Sequence, residues 1–123
     1  MKTMTNNEIY ATTIALNREF EDTKQVLPVK VNFYIQKNKA TLTSLAQDIE
    51  KARMDILQQY GSYNEETEQF EFTPEQAPIL TRELNDLFSL EQEVNIYTVD
   101  IEKFGDELSL TTGQMEALMF MID

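Results

Sequence analysis

From Val31 onward the chain returns to one helical face by alternating steps of four and three: Val31, Ile35, Asn38, Leu42, Leu45, Ile49, Ala52, Ile56. A seven-residue period of this kind predicts one long helix with a continuous stripe. Pro28 suits its first turn, where a missing N–H costs nothing, and Gly61 after Tyr60 is expected to stop it in a left-handed conformation. At ~1.5 Å per residue such a helix spans roughly 45–50 Å, which is long for one compact domain to cover. The single polar member of the stripe, Asn38, has two readings: it fixes register in helical association, or it faces solvent near the free end of the helix.

The other elements are shorter. Thr5 followed by Glu8 is a capping-box pattern opening a first helix over about 6–22, with Ile9, Thr13, Leu16 and Phe20 near one face and Glu21-Asp22-Thr23 as a weak stop. Gln69-Phe70-Glu71-Phe72 alternates as a half-buried strand does. Thr73-Pro74-Glu75-Gln76 predicts the start of a third helix over about 74–90, carrying Leu80, Leu84, Leu87 and Phe88, with a later start or a bend caused by Pro78. Val94 to Val99 is rich in β-branched residues and predicts a strand partnered by the Phe70/Phe72 segment. Glu107 to Leu110 is a candidate third strand after a turn at Phe104-Gly105-Asp106, and Thr111 with Gln114 caps a last helix containing Met115, Leu118, Met119 and Ile122. The whole reads as one α+β domain over 1–123: mainly helical, one long central helix, two or three further helices and a small two- to three-stranded antiparallel sheet.

Composition narrows the chemistry. The 123 residues include no Cys and no His. Thiolate metal sites, Cys nucleophiles and the usual Ser/His/Asp arrangement are therefore excluded. The three glycines, at 61, 105 and 113, are too scattered to form a phosphate-cradling loop. No apolar run approaches a membrane span and no signal-peptide layout opens the chain, so no membrane association and a cytoplasmic location are expected. Charge is placed unevenly: residues 1–60 carry 8 Lys/Arg against 7 Asp/Glu, a balance of +1, while 61–123 carry 2 against 15, a balance of −13. A half this acidic repels nucleic acid, so no direct nucleic-acid binding is expected.

Three groups of residues stand out. Glu65, Glu66, Glu68, Glu71, Glu91, Glu93, Asp100, Glu102, Asp106 and Glu107 form a candidate acidic binding surface. Their pairs can run acid–base chemistry when burial splits their pKa values, but they lie on polar segments and read better as solvated. The span from Asp100 to Glu107 lacks calcium-loop spacing. Lys30, Tyr34 and Lys37 share one side of the long helix, with Thr41 and Ser44 continuing the line and Arg18 or Lys39 as further cations. They read either as a candidate anion or nucleotide face or as a solvated face whose lysines lie along the surface. Val31, Ile35, Asn38, Leu42, Leu45 and Ile49 are candidate self-association residues. At the end of the chain, Met115, Met119 and Met121 with Phe120 serve core packing or an adaptable docking surface.

Several stretches carry a resemblance. Leu27-Pro28-Val29-Lys30, Tyr34-Ile35-Gln36-Lys37-Asn38, Glu50-Lys51-Ala52-Arg53 and Gln59-Tyr60-Gly61 resemble a family of small uncharacterised proteins from tailed bacteriophages of Gram-positive hosts. Asn64-Glu65-Glu66, Glu93-Val94, Phe104-Gly105-Asp106 and Gln114-Met115-Glu116-Ala117-Leu118 add to it. The pattern is spread over most of the chain and contains no catalytic signature. The resemblance implies a phage-encoded protein made in the cytoplasm of an infected bacterium, and it carries over no ligand or catalytic residue.

These readings lead to a non-enzymatic binding protein without metal or organic cofactor. Its expected partner is a protein with a basic surface, in the manner of a DNA-mimicking inhibitor of a bacterial defence such as a CRISPR effector. One alternative is a virion or assembly component associating through the long helix; a weaker one is a sponge that sequesters a nucleotide signal through Lys30, Tyr34 and Lys37. A homodimer is also expected, because the stripe from Val31 to Ile56 outruns what the first helix can cover. The third helix lying along the remainder is the monomeric alternative.

Overall fold

The computed structural model describes residues 1–20, 27–100, 102 and 110–122. In chain order these form β1 (Lys2–Thr5), α1 (Asn6–Glu19), α2 (Val29–Tyr60), β2 (Ser62–Asn64), β3 (Gln69–Glu71), α3 (Gln76–Ser89), β4 (Glu91–Val94) and α4 (Thr112–Leu118), the last followed by a 3-10 turn, Met119–Met121. The fold is α+β, with one long helix as its spine.

The capping signals act as the sequence predicts. Thr5 accepts from Glu8 N–H at 3.1 Å while the Glu8 carboxylate accepts from Thr5 N–H at 3.3 Å, and Thr111 and Gln114 exchange the same pair of bonds ahead of α4. Both arrangements satisfy backbone donors that a helix start leaves free. Thr73 and Gln76 bond reciprocally as well, at 3.0 and 3.2 Å. The turn they close delays α3 to Gln76, so Pro78 falls in the first helical turn, where its missing N–H is tolerated.

The length of α2, 32 residues or ~48 Å, is covered by two helices laid in tandem. Tyr10 of α1 reaches Glu50, whereas Asn17 shares a groove with Gln36, Lys39 and Ala40, so α1 runs antiparallel along the middle of α2. α3 begins beside the far end of α2, packs on it, and meets the start of α1, where the Tyr10 and Phe88 rings stand edge to face at 5.9 Å. The Asn6 amide bridges this junction, donating to Leu87 O at 2.8 Å and accepting from Gln92 at 2.6 Å. The N-terminal turns of α2 share their core with Val99, Leu118 and Met121.

Several expectations need correction. The Phe70 strand does not pair with Val94; β3 pairs with β2 as a local hairpin, and β4 pairs with β1, antiparallel, from Thr5↔Glu91 to Lys2↔Val94. Among the described residues there are therefore two separate two-stranded sheets. β4 also ends at Val94, because Tyr97 N–H and C=O are both taken by the Asn38 side chain and not by a strand. Val99 keeps only an isolated bridge to Ile122. Gly61 is extended (φ −144°, ψ 177°) and not left-handed. Its requirement is space: a Cβ there would overlap the edge of the Phe72 ring and come within 3.0 Å of Leu57 O. α1 stops at Glu19, three residues short of expectation, with Phe20 N–H closing on Leu16 O. The Glu21-Asp22-Thr23 stop, the Phe104-Gly105-Asp106 turn and all of the 107–110 strand except Leu110 lie outside the described residues; Leu110 is not in a strand.

Candidate functional surfaces

The self-association stripe is where the structure departs furthest from expectation. Val31, Ile35, Asn38 and Leu42 are fully buried, Ile49 is 3% exposed, and Leu45 packs partly buried against the same core. The cover is supplied by this chain, from α1, α3 and the segment around Tyr97 and Met121. These six side chains are thus engaged within the chain, as core, and present little apolar surface outward. Within the chain α3 lies along the remainder of α2, as the second of the two expected covers has it.

Asn38 is the polar residue that this packing requires. Its Nδ2 donates to Tyr97 O at 2.8 Å and its Oδ1 accepts from Tyr97 N–H at 2.8 Å, as a β-strand neighbour would do, and Nδ2 also lies 3.4 Å from the Met121 sulfur. It does not face solvent, and its amide is engaged within the chain. Its effect is to hold residues 95–98 against α2 and to lay the Tyr97 ring on Tyr34, with centroids 5.1 Å apart and planes 25° from parallel.

That stack completes a surface which the sequence revealed only in part. Lys30 and Lys37 are exposed and Tyr34 is half-buried, on one side of α2 as predicted. The Lys30 ammonium sits 5.6 Å from the centre of the Tyr34 ring, and the Lys37 ammonium 5.5 Å from that of Phe33. Phe33 and Tyr97 were not anticipated. Phe33 lies three positions beyond Lys30 and four before Lys37, a spacing from which it was readable. Tyr97 carried no signal, since its place depends on the Asn38 bonds. Arg18 pairs with Glu19 at 3.1 Å and Lys39 lines the groove between α1 and α2, so neither adds its charge to this face.

The acidic candidates form two groups and not one surface. Glu65, Glu66 and Glu68 occupy the turn between β2 and β3, all exposed, and Glu71 follows on β3, where it accepts from Asn64 Nδ2 at 2.8 Å. The turn is shaped by Asn64 Oδ1, which accepts from the N–H groups of Glu66 and Thr67 at 2.9 and 3.4 Å. Glu91 and Glu93 are exposed on β4, which follows the C-terminal end of α3, a helix ~20 Å long. Asp100 is half-buried and accepts from Glu102 N–H at 3.0 Å, with Glu102 exposed. Asp106 and Glu107 lie outside the described residues. Among the described residues the ion pairs are Arg18–Glu19 and Glu50–Arg53, so none of the described carboxylates of this set pairs with a described cation.

The Glu50–Arg53 pair is a fork, with contacts of 2.6 and 2.9 Å, and Tyr10 donates to the same carboxylate at 3.4 Å. The Arg53 bonds hold the Glu50 carboxyl below its ordinary pKa. Among the described residues no group of His, Cys, Asp or Glu side chains converges as metal ligands, and no helix is long and apolar enough to cross a membrane. Of the terminal methionines, Met121 is fully buried and Met119 is exposed. No known family model matches the chain, and neither does any curated protein or solved structure.

Proposed function

We propose that this protein is a non-enzymatic binding protein whose acidic side chains engage a basic surface on a macromolecular partner, in the manner of a DNA mimic that blocks a bacterial defence. The observation that carries the reading is the outward, unneutralised placement of Glu65, Glu66, Glu68, Glu91 and Glu93. Carboxylates in the β2–β3 turn and on β4, elements that precede and follow the ~20 Å length of α3, present negative charge over a distance comparable to six base pairs of duplex, at 3.4 Å each. Such charge accelerates encounter with a basic cleft and disfavours acidic partners. The phage-infected cytoplasm suggested by the sequence resemblance is a setting in which a nuclease cleft of that kind is a natural target.

Plating efficiency provides the test. A bacterium that restricts phage by a CRISPR effector or restriction nuclease should become permissive when this protein is expressed. Joint replacement of Glu65, Glu66, Glu68, Glu91 and Glu93 by Gln should abolish the effect while leaving the circular dichroism spectrum unchanged. Full protection by the neutralised variant, or stoichiometric recovery of the protein from purified virions without any effect on restriction, refutes the proposal.

A further inference from the structure

The cationic and aromatic face at the start of α2 is left unexplained by an acidic contact surface. It is convex, formed by the outer side of two helical turns and one stacked tyrosine, with Phe33 52% and Tyr97 40% exposed. A small anion would be held from one side only, whereas aromatic side chains flanked by cations suit a second macromolecular surface. Its complement should carry carboxylates beside an exposed aromatic ring.

The β2–β3 hairpin of this chain has that chemistry. Glu65, Glu66 and Glu68 stand in its turn, and Tyr63, 53% exposed, lies just before them against Phe70. The hairpin follows the last turn of α2 and the cationic face occupies the first turns, so the two lie at opposite ends of a ~48 Å helix. One chain cannot bring them together. We propose that the hairpin of one copy docks on the Lys30–Phe33–Tyr34–Lys37–Tyr97 face of another, in a head-to-tail contact. This rests on the reading of the hairpin carboxylates as a contact surface and names a second copy as one occupant. A heterologous contact does not close on itself as a two-fold dimer does, so it builds chains or rings.

Salt sets the conditions of the test, because a net charge of −12 also makes whole molecules repel. At ~0.1 M salt the screening length is ~10 Å, which suppresses that repulsion while leaving contacts between touching groups. Sedimentation of the purified protein between ~10 and ~500 µM, the range in which a small charged contact becomes populated, should show a weight-average mass rising past twice 14.3 kDa. Lys30→Glu with Lys37→Glu should remain at the monomer mass. Glu65→Lys with Glu66→Lys should also remain monomeric, although its net charge falls from −12 to −8, two units per reversal, and general repulsion weakens. An equimolar mixture of the two variants should associate again, which unfolded chains could not do. A wild-type mass fixed at the monomer value, association indifferent to the reversals, or a mixture that stays monomeric each overturns the contact. Since only the purified chain is weighed, loss of this contact leaves the plating result intact, and failure of the plating test leaves this one readable.

Discussion

Asn38 shows how a polar residue in an apolar stripe acquires its meaning from a distant segment. Replacing it with Leu removes both partners of the Tyr97 backbone groups. Leaving such groups unpaired costs ~1–3 kcal/mol, so urea denaturation of Asn38→Leu should show a loss of that order and no gain in association. A variant as stable as the parent and newly dimeric would restore the register reading. Gly61 makes a comparable demand for space: Gly61→Ala forces the Phe72 ring aside, and overpacking of this kind costs about 1–3 kcal/mol. At Glu68 the demand is conformational, because φ is +57° in the hairpin turn. Asn tolerates that region better than Glu, and Glu68→Asn should raise stability by up to ~1 kcal/mol, read as a higher denaturation midpoint. Glu50 couples stability to pH. Its folded pKa lies below the ordinary 4.5, so the stabilisation is present above that value and is lost as pH falls through the folded one. The stability gap between the parent and Glu50→Gln should therefore hold at neutral pH and narrow only as the pH is taken below 4.5.

At the scale of elements, what the sequence made legible was whatever is decided locally. The capping boxes at Thr5 and Thr111, the period of α2 and the alternation at Phe70 depend on residues within one or two turns, and the corresponding elements form. Strand pairing was not legible, because it depends on chain return. β1, only Lys2–Thr5, sits directly before the first capping box, and its partner lies about ninety residues on. The β-branched run after Val94 looked like the better strand, yet its backbone is captured by Asn38. The candidate site was legible to the same degree. Lys30, Tyr34 and Lys37 share a face because helical spacing dictates it, whereas Tyr97 joins them through a tertiary hydrogen bond that no local pattern encodes. The caps themselves can be tested: Thr5→Ala should cost ~1 kcal/mol and fray the first turn of α1, observable as faster amide exchange at residues 6–8.

At the scale of the whole molecule, α1 and α3 in tandem account for a helix longer than either. Each is 14 residues, against 32 for α2, and their junction is tied by Asn6, Tyr10 and Phe88. The apolar stripe is thereby spent within one chain, and the capacity for further contact is left to the charged and aromatic groups at its surface. Leu42→Glu tests this most directly, because Leu42 has no exposed surface and a lone carboxylate there loses its hydration without gaining a partner. Circular dichroism and sedimentation of this variant should show loss of the cooperative thermal transition at every protein concentration. A Leu42→Glu protein that keeps native helix content and melts cooperatively as a monomer, beside a parent that is a salt-resistant dimer, would contradict the account.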